Sequence, residues 1–81
     1  MAKRKRVPDI LERFGFAVRR RREELGMTQE DLAEKAGIHR TYVSDIERGS
    51  RNVSLINIDR LAAALGLKLA GLFERVQEVG C

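Results

Sequence analysis

The chain has 81 residues, 43% of them hydrophobic and 35% charged, with 16 Lys and Arg against 12 Asp and Glu. This length and composition predict one folded globular domain and exclude a membrane span, because no run approaches the roughly 18 apolar residues that a span requires. The basic start is not followed by an apolar run, so no secretory signal is expected, and a single Cys with a single His exclude a disulfide framework and predict that no metal or other cofactor is bound.

Positive charge is concentrated at the start of the chain. Residues 1–27 contain nine Lys and Arg and four Asp and Glu, whereas residues 28–50 contain three and five. The basic residues form two clusters, 3–6 and 19–22, which attract polyanions such as nucleic acid. The alternative is a solvated helix face with a loose tail. The lone Cys favours a cytoplasmic location.

The first predicted helix runs from about Pro8 to Glu24. Residues 1–7 lack apolar periodicity and are expected to form a flexible basic arm in front of a domain over 8–77, with a tail over 78–81. Proline suits a first helical turn, and Asp9 and Glu12 lie at the positive end of the helix dipole. Five apolar residues recur at helical spacing and predict the inward face: Ile10, Phe14, Ala17, Val18 and Leu25.

The second and third predicted helices are short and closely connected. Thr28 and Asp31 have the spacing of a capping box, which starts a helix over 29–35. Gly37 permits a left-handed turn, and a further helix extends over about 39–48. Two short helices joined by a tight turn containing glycine are typical of a helix-turn-helix unit.

Two more helices complete the predicted fold. Ser54 is a good N-cap for a helix that ends at Gly66, and a last helix spans about 69–77. The sequence therefore predicts an all-α, compact five-helix domain with a helix-turn-helix. Because a core of this size is marginal, a homodimer is expected. Its interface is predicted to use the apolar residues of the last helix: Leu69, Leu72, Phe73 and Val76.

The third helix has two chemically distinct sides. At about 100° per residue, its polar residues fall within one arc of about 140°, and the apolar Tyr42, Val43 and Ile46 lie opposite. The polar residues are Arg40, Thr41, Ser44, Asp45 and Arg48. Short hydroxyls and guanidinium groups are able to contact base edges in a DNA major groove.

The sequence also resembles a known family of DNA-binding domains. The segments 14–22, 26–33, 42–49 and 61–66 follow in the order and at the spacing of the Cro/phage-repressor (Xre-type) helix-turn-helix family. Residues 40–48 with 50–52 look more narrowly like the controller proteins of restriction–modification systems. The resemblance covers roughly residues 14–76, and it implies a transcriptional regulator that binds a palindromic operator in double-stranded DNA as a homodimer.

The resemblance assigns roles to matching positions. It implies that Gln29 contacts phosphate or bases, that the exposed start of the third helix faces the groove, and that Arg51 and Asn52 in the following loop reach DNA. It further implies that Arg22 and Glu47 form a structural salt bridge, with a DNA contact as the alternative for Arg22. Arg19 is either solvated or on phosphate.

Several alternatives stand open at this point. The basic arm is either disordered or a DNA contact, and Asp45 either accepts from cytosine or pairs with Arg48 or Arg40 and orients them. We prefer disorder for the arm and pairing for Asp45. The other functional class is an antitoxin-type interaction module, while activation of transcription would require a contact to RNA polymerase. An enzyme is not expected, because His39 is the lone imidazole and no base is paired with Ser44.

Overall fold

A computed structural model describes residues 9–79 of the chain. Five α-helices and no strand occur in that range, as predicted: α1 (Ile10–Glu24), α2 (Gln29–Ala36), α3 (Arg40–Glu47), α4 (Leu55–Ala64) and α5 (Leu69–Glu78). The predicted arm over 1–7, the helix start at Pro8 and the end of the tail at 80–81 lie outside the described residues.

The first helix begins at a reciprocal cap. Asp9 has extended backbone angles, its carboxylate accepts from the Glu12 N–H at 2.9 Å, and the Glu12 carboxylate accepts from the Asp9 N–H at 3.1 Å. Helical geometry therefore starts at Ile10, two residues later than predicted. Ile10 and Leu25 are exposed, so assigning them to the inward face is wrong. They stand at the two ends of the helix, and periodicity does not show how far the neighbouring helices extend along it.

The helix-turn-helix forms with small shifts at its ends. Thr28 and Asp31 make the predicted capping box, each side chain accepting from the other residue's N–H at 3.0 Å. The second helix continues one residue beyond the prediction, and Gly37 then adopts the left-handed φ of +73°. His39 and Arg48, predicted inside the third helix, are its N-cap and C-cap.

The core is made by every helix. α1 packs on α3 and α5, α2 packs on α3 and α4, and α4 packs on α5. Its largest fully buried side chains are Leu32, Ile46, Leu61, Leu65, Leu72, Val18, Val43 and Val76. None of the helices is long enough to be stable alone, so this shared core holds the helix-turn-helix in place.

Close approach of α1 to α3 depends on Gly15. A Cβ atom at this position would stand 2.2 Å from the backbone oxygen of Ile46 and 2.9 Å from that of Glu47. Since no side chain fits there, the glycine lets α3 lie directly against α1. This contact places the end of α3 within reach of side chains farther along α1.

The structure corrects the predicted dimer surface on α5. Leu72 and Val76 are 0% and 2% exposed, so they belong to the chain's own core and have no surface left for a partner. Leu69 is partly buried, and Phe73 keeps 39% of its surface exposed. The apolar arc is wide because α5 packs against both α1 and α4. Glu78, predicted to begin the tail, is the last residue of α5.

Candidate nucleic-acid interface

The third helix turns one side to the core and the other to solvent. Val43 and Ile46 are buried and Tyr42 is partly buried, while Arg40 and Thr41 are exposed at the first turn. The separation of polar and apolar arcs that the sequence predicts is thus present in the fold. The polar side is the candidate interface, here called the α3 face: Arg40, Thr41, Ser44, Asp45 and Arg48.

A partly buried ion pair holds the α3 face in position. The Arg22 guanidinium donates to both oxygens of Glu47, from Nε to Oε2 at 2.7 Å and from Nη2 to Oε1 at 3.0 Å. Its Nη1 donates to the Met27 carbonyl at 2.8 Å. The hydrogen bonds that Arg22 donates to Glu47 raise the pKa of Arg22, although desolvation acts in the opposite direction. Arg22 therefore ties α1 to the end of α3 and to the loop before α2.

Gln29 is connected to the same pair. Its Nε2 donates to Glu47 Oε1 at 3.0 Å, an interaction that the sequence did not indicate. The bond sets the position of the first residue of α2, and Gln29 lines one depression together with Thr28, Glu30 and Arg40. The structure thus brings Gln29 beside the start of the α3 face.

Asp45 is the centre of a second, exposed charge cluster. Its Oδ1 accepts from Arg48 Nη2 in a short contact, and its Oδ2 accepts from Arg51 Nη2 at 3.2 Å. Arg48 also donates from Nη1 to Ser44 Oγ at 2.6 Å. Of the two pairing partners considered from the sequence, Arg48 makes the contact, while the second arginine is Arg51 rather than Arg40.

The loop after α3 is attached to the α3 face. The Ser50 N–H and hydroxyl both donate to the Asp45 backbone oxygen, at 3.0 and 3.1 Å. The guanidinium carbon of Arg51 lies 4.7 Å from the centre of the Tyr42 ring, a cation–π geometry. Arg51 is therefore placed next to α3 by two side chains, and Asn52 follows it as an exposed residue.

Packing adds residues that the sequence argument missed. Asn57 and Arg60 of α4 line a depression together with Thr41 and Arg51. Arg19 of α1 was not missed, because the sequence left it either solvated or on phosphate, and it lines another depression with Ser44 and Arg48. From the sequence, Arg60 is recognisable only as a residue on the polar side of α4. Its proximity to α3 depends on how α2 and α4 pack, which the sequence does not show.

Two other kinds of feature are absent from the part of the chain that the structure describes. Over residues 9–79, no group of His, Cys, Asp and Glu is arranged to hold a metal ion, and no helix in that range is long and apolar enough to cross a membrane. A groove between α1 and α5 shares no lining residue with the α3 face. The face is suited to binding a polyanion through arginines and short polar side chains.

Comparison with known proteins relates the chain to regulators of this architecture. A family model described as helix-turn-helix matches residues 18–72. Control protein C.MunI from Mycoplasma sp is 41% identical over 71 residues, which cover 86% of this chain and 96% of that protein.

Two solved structures have the same fold and related sequences. The restriction–modification controller protein C.AhdI from Aeromonas hydrophila has a TM-score of 0.76 at 48% identity and covers 78% of this chain and 96% of its own. C.Esp1396I, solved as a tetramer in complex with its natural 35-base-pair operator, has a TM-score of 0.82 at 37% identity. That match covers 88% of this chain and 93% of the other.

Proposed function

The chain belongs to the helix-turn-helix family and, within it, to the restriction–modification controller proteins, and from this membership we propose how it binds its operator. A homodimer binds a palindromic site in double-stranded DNA with α3 of each subunit in the major groove. The observation that carries this proposal is the α3 face itself, polar and arginine-rich, held at its far end by the Arg22–Glu47 pair.

Each part of the face has a chemical task in this proposal. Arg40, exposed at the start of α3, bonds guanine O6 and N7, while Thr41 and Ser44 contact a thymine methyl or a neighbouring phosphate. Arg51 and Asn52 reach the groove edge from the loop. Further DNA contacts come from Gln29 and Arg48 of the predicted set, while Asp45 of that set pairs with Arg48 and Arg51. Arg19 and Arg60 are suited to contact phosphates because they lie beside the face.

The decisive experiment is a binding titration of Arg40→Ala on the operator and on its single-base variants at several salt concentrations. We expect a loss of about 1–3 kcal/mol at one base position in each half-site, with relaxed preference there. Arg19→Ala should weaken all sequences evenly and reduce the salt slope by about one. Arg75→Ala, which removes the same charge from α5, is the control. An even loss for Arg40→Ala would make it a phosphate contact and Arg51 the leading base contact.

The dimer interface is proposed to include the start of α4. Leu55 and Ile56 are 70% and 65% exposed, more than the other large apolar side chains described, and they follow closely after Arg51 in the chain. Together with Leu69 and Phe73 they offer apolar surface to a second copy. A two-fold axis there would set two α3 helices about 34 Å apart, one turn of DNA.

Sedimentation tests this interface directly. Ile56→Glu should shift the protein towards monomer at micromolar concentration and weaken operator binding, while the α3 face is unchanged. Leu25→Glu places the same charge on another exposed apolar residue, at the C-cap of α1, and should leave the dimer intact. A wild-type protein that sediments only as monomer would contradict the dimer.

The transcriptional outcome depends on what the bound dimer does to RNA polymerase. Activation requires contact with the polymerase, whereas repression requires only that its site be blocked. A reporter gene fused to the operator, with and without the protein, distinguishes the two. Since the target is cellular DNA, the proposal places the protein in the cytoplasm, and its task is binding rather than catalysis.

A further inference from the structure

A carboxylate on a surface that faces DNA requires an explanation. Asp45 lies on the α3 face, where phosphate oxygens would repel it. Its side chain is 21% exposed, and each oxygen accepts from a different arginine. This arrangement is unlike a solvated acid, and it differs from the buried pair at Glu47, where one arginine occupies both oxygens.

Four contacts, two of them to the Asp45 carboxylate, restrict the side chains of Arg48 and Arg51. Arg48 is held by the carboxylate and by Ser44, and Arg51 by the carboxylate and by the Tyr42 ring. Arginine side chains lose rotamer entropy on binding, and part of that loss has already occurred when the guanidinium is held in place beforehand. The carboxylate also offsets one of the two positive charges.

We infer that Asp45 is a specificity-determining positioning residue, which orients Arg48 and Arg51 for the operator and restrains them from binding any phosphate backbone. The inference rests on the proposed function. Non-specific affinity comes from neutralising phosphates and releasing counterions, so an internal carboxylate that competes for the same guanidinium groups lowers it. Specificity is the difference between the two affinities, and it rises when the non-specific affinity falls.

The test compares Asp45→Asn with wild type on two duplexes. One is the duplex that the wild-type protein enriches from a randomised pool, and the other is its scrambled counterpart. Asp45→Asn should bind the scrambled duplex about three- to tenfold more tightly and with a salt slope steeper by about one to two. Affinity for the enriched duplex should be unchanged or fall, so the ratio of the two dissociation constants should decrease by at least about three- to tenfold.

Glu34→Gln is the matched control, because it makes the same charge change at an exposed position of α2 outside the α3 face. It should leave the ratio within about twofold of wild type. If both variants change the ratio equally, the inference is overturned, because the loss of one negative charge anywhere on the surface would explain the result. Melting temperatures of both variants accompany the titrations, because a scaffold role would lower stability and weaken both duplexes equally without a change in slope.

Two further outcomes also contradict the inference. If Asp45→Asn loses preference only at a single cytosine, Asp45 contacts that base itself. If the wild-type protein enriches no sequence at all, the proposed function fails first and the inference fails with it. The inference is supported if Asp45→Asn binds the scrambled duplex more tightly and with a steeper salt dependence. Its base preference should also broaden at the positions that Arg51→Ala affects.

Discussion

Two carboxylates of the same short helix, Asp45 and Glu47, both bind arginines but in opposite surroundings. The Glu47 side chain is 5% exposed and its partner Arg22 is 12% exposed, whereas the arginines around Asp45 are 61% and 50% exposed. Residues two apart on a helix point in directions about 200° apart. The Glu47 carboxylate therefore faces α1, and the Asp45 carboxylate lies among exposed arginines on the other side of α3.

This difference separates the energetics of the two sites. In the partly buried pair of Arg22 and Glu47, both charges have lost much of their water and depend on each other, so loss of one partner leaves a poorly compensated charge. In the exposed cluster, water and salt screen the charges, so the contacts contribute little to folding. Arginine–carboxylate pairing thus stabilises the fold on one side of α3 and orients side chains of the α3 face on the other.

The largest effect is expected when the buried pair is broken. Glu47→Ala should lower the free energy of unfolding by up to about 3 kcal/mol, because Arg22 loses its carboxylate and Gln29 its acceptor. Asp45→Ala, the matched variant on the exposed side, should cost under about 1 kcal/mol. Urea titrations of both proteins measure the difference, and equal losses would abolish the distinction between the two sides.

The second largest effect is expected when the close contact between α1 and α3 is disturbed, since the Arg22–Glu47 pair depends on it. Gly15→Ala introduces a Cβ atom against the Ile46 backbone oxygen, and it should cost about 1–3 kcal/mol or more as α3 is pushed away from α1. Gly71→Ala is the control, since its Cβ would meet only Leu67 Cδ2 at 4.0 Å. It should stabilise α5 by up to about 1 kcal/mol. An unchanged free energy of unfolding in Gly15→Ala would contradict the close packing of α1 on α3.

The smallest effect concerns Asp31, a carboxylate held by a backbone amide. The hydrogen bond from the Thr28 backbone lowers the pKa of Asp31 below its ordinary value of 3.8. A lowered folded-state pKa stabilises the protein above the unfolded pKa, and this contribution is lost as pH falls through the folded value. Asp31→Asn should therefore show a shallower decline of melting temperature below about pH 4 than wild type. If the melting temperature of Asp31→Asn declines as steeply as that of wild type, the Asp31 carboxylate does not contribute to the loss of stability in acid.

Much of the fold follows from short-range patterns. Helix number, the caps at Thr28 and Ser54, and the left-handed Gly37 depend on residues within about four positions of each other. The two sides of α3 follow from helical periodicity in the same way. The Arg22–Glu47 contact spans 25 positions, and no spacing argument finds it. Only the resemblance to a known family implied it.

The sequence by itself determined that this is a five-helix, helix-turn-helix protein with a polar, arginine-bearing third helix. Tertiary structure alone decided that Leu72 and Val76 are core residues, that Gln29 joins the buried pair and that Asp45 binds Arg51. The physical reason is the range of the forces involved. Helix formation and capping are local, whereas contacts between side chains of different elements depend on the distances and angles at which those elements pack.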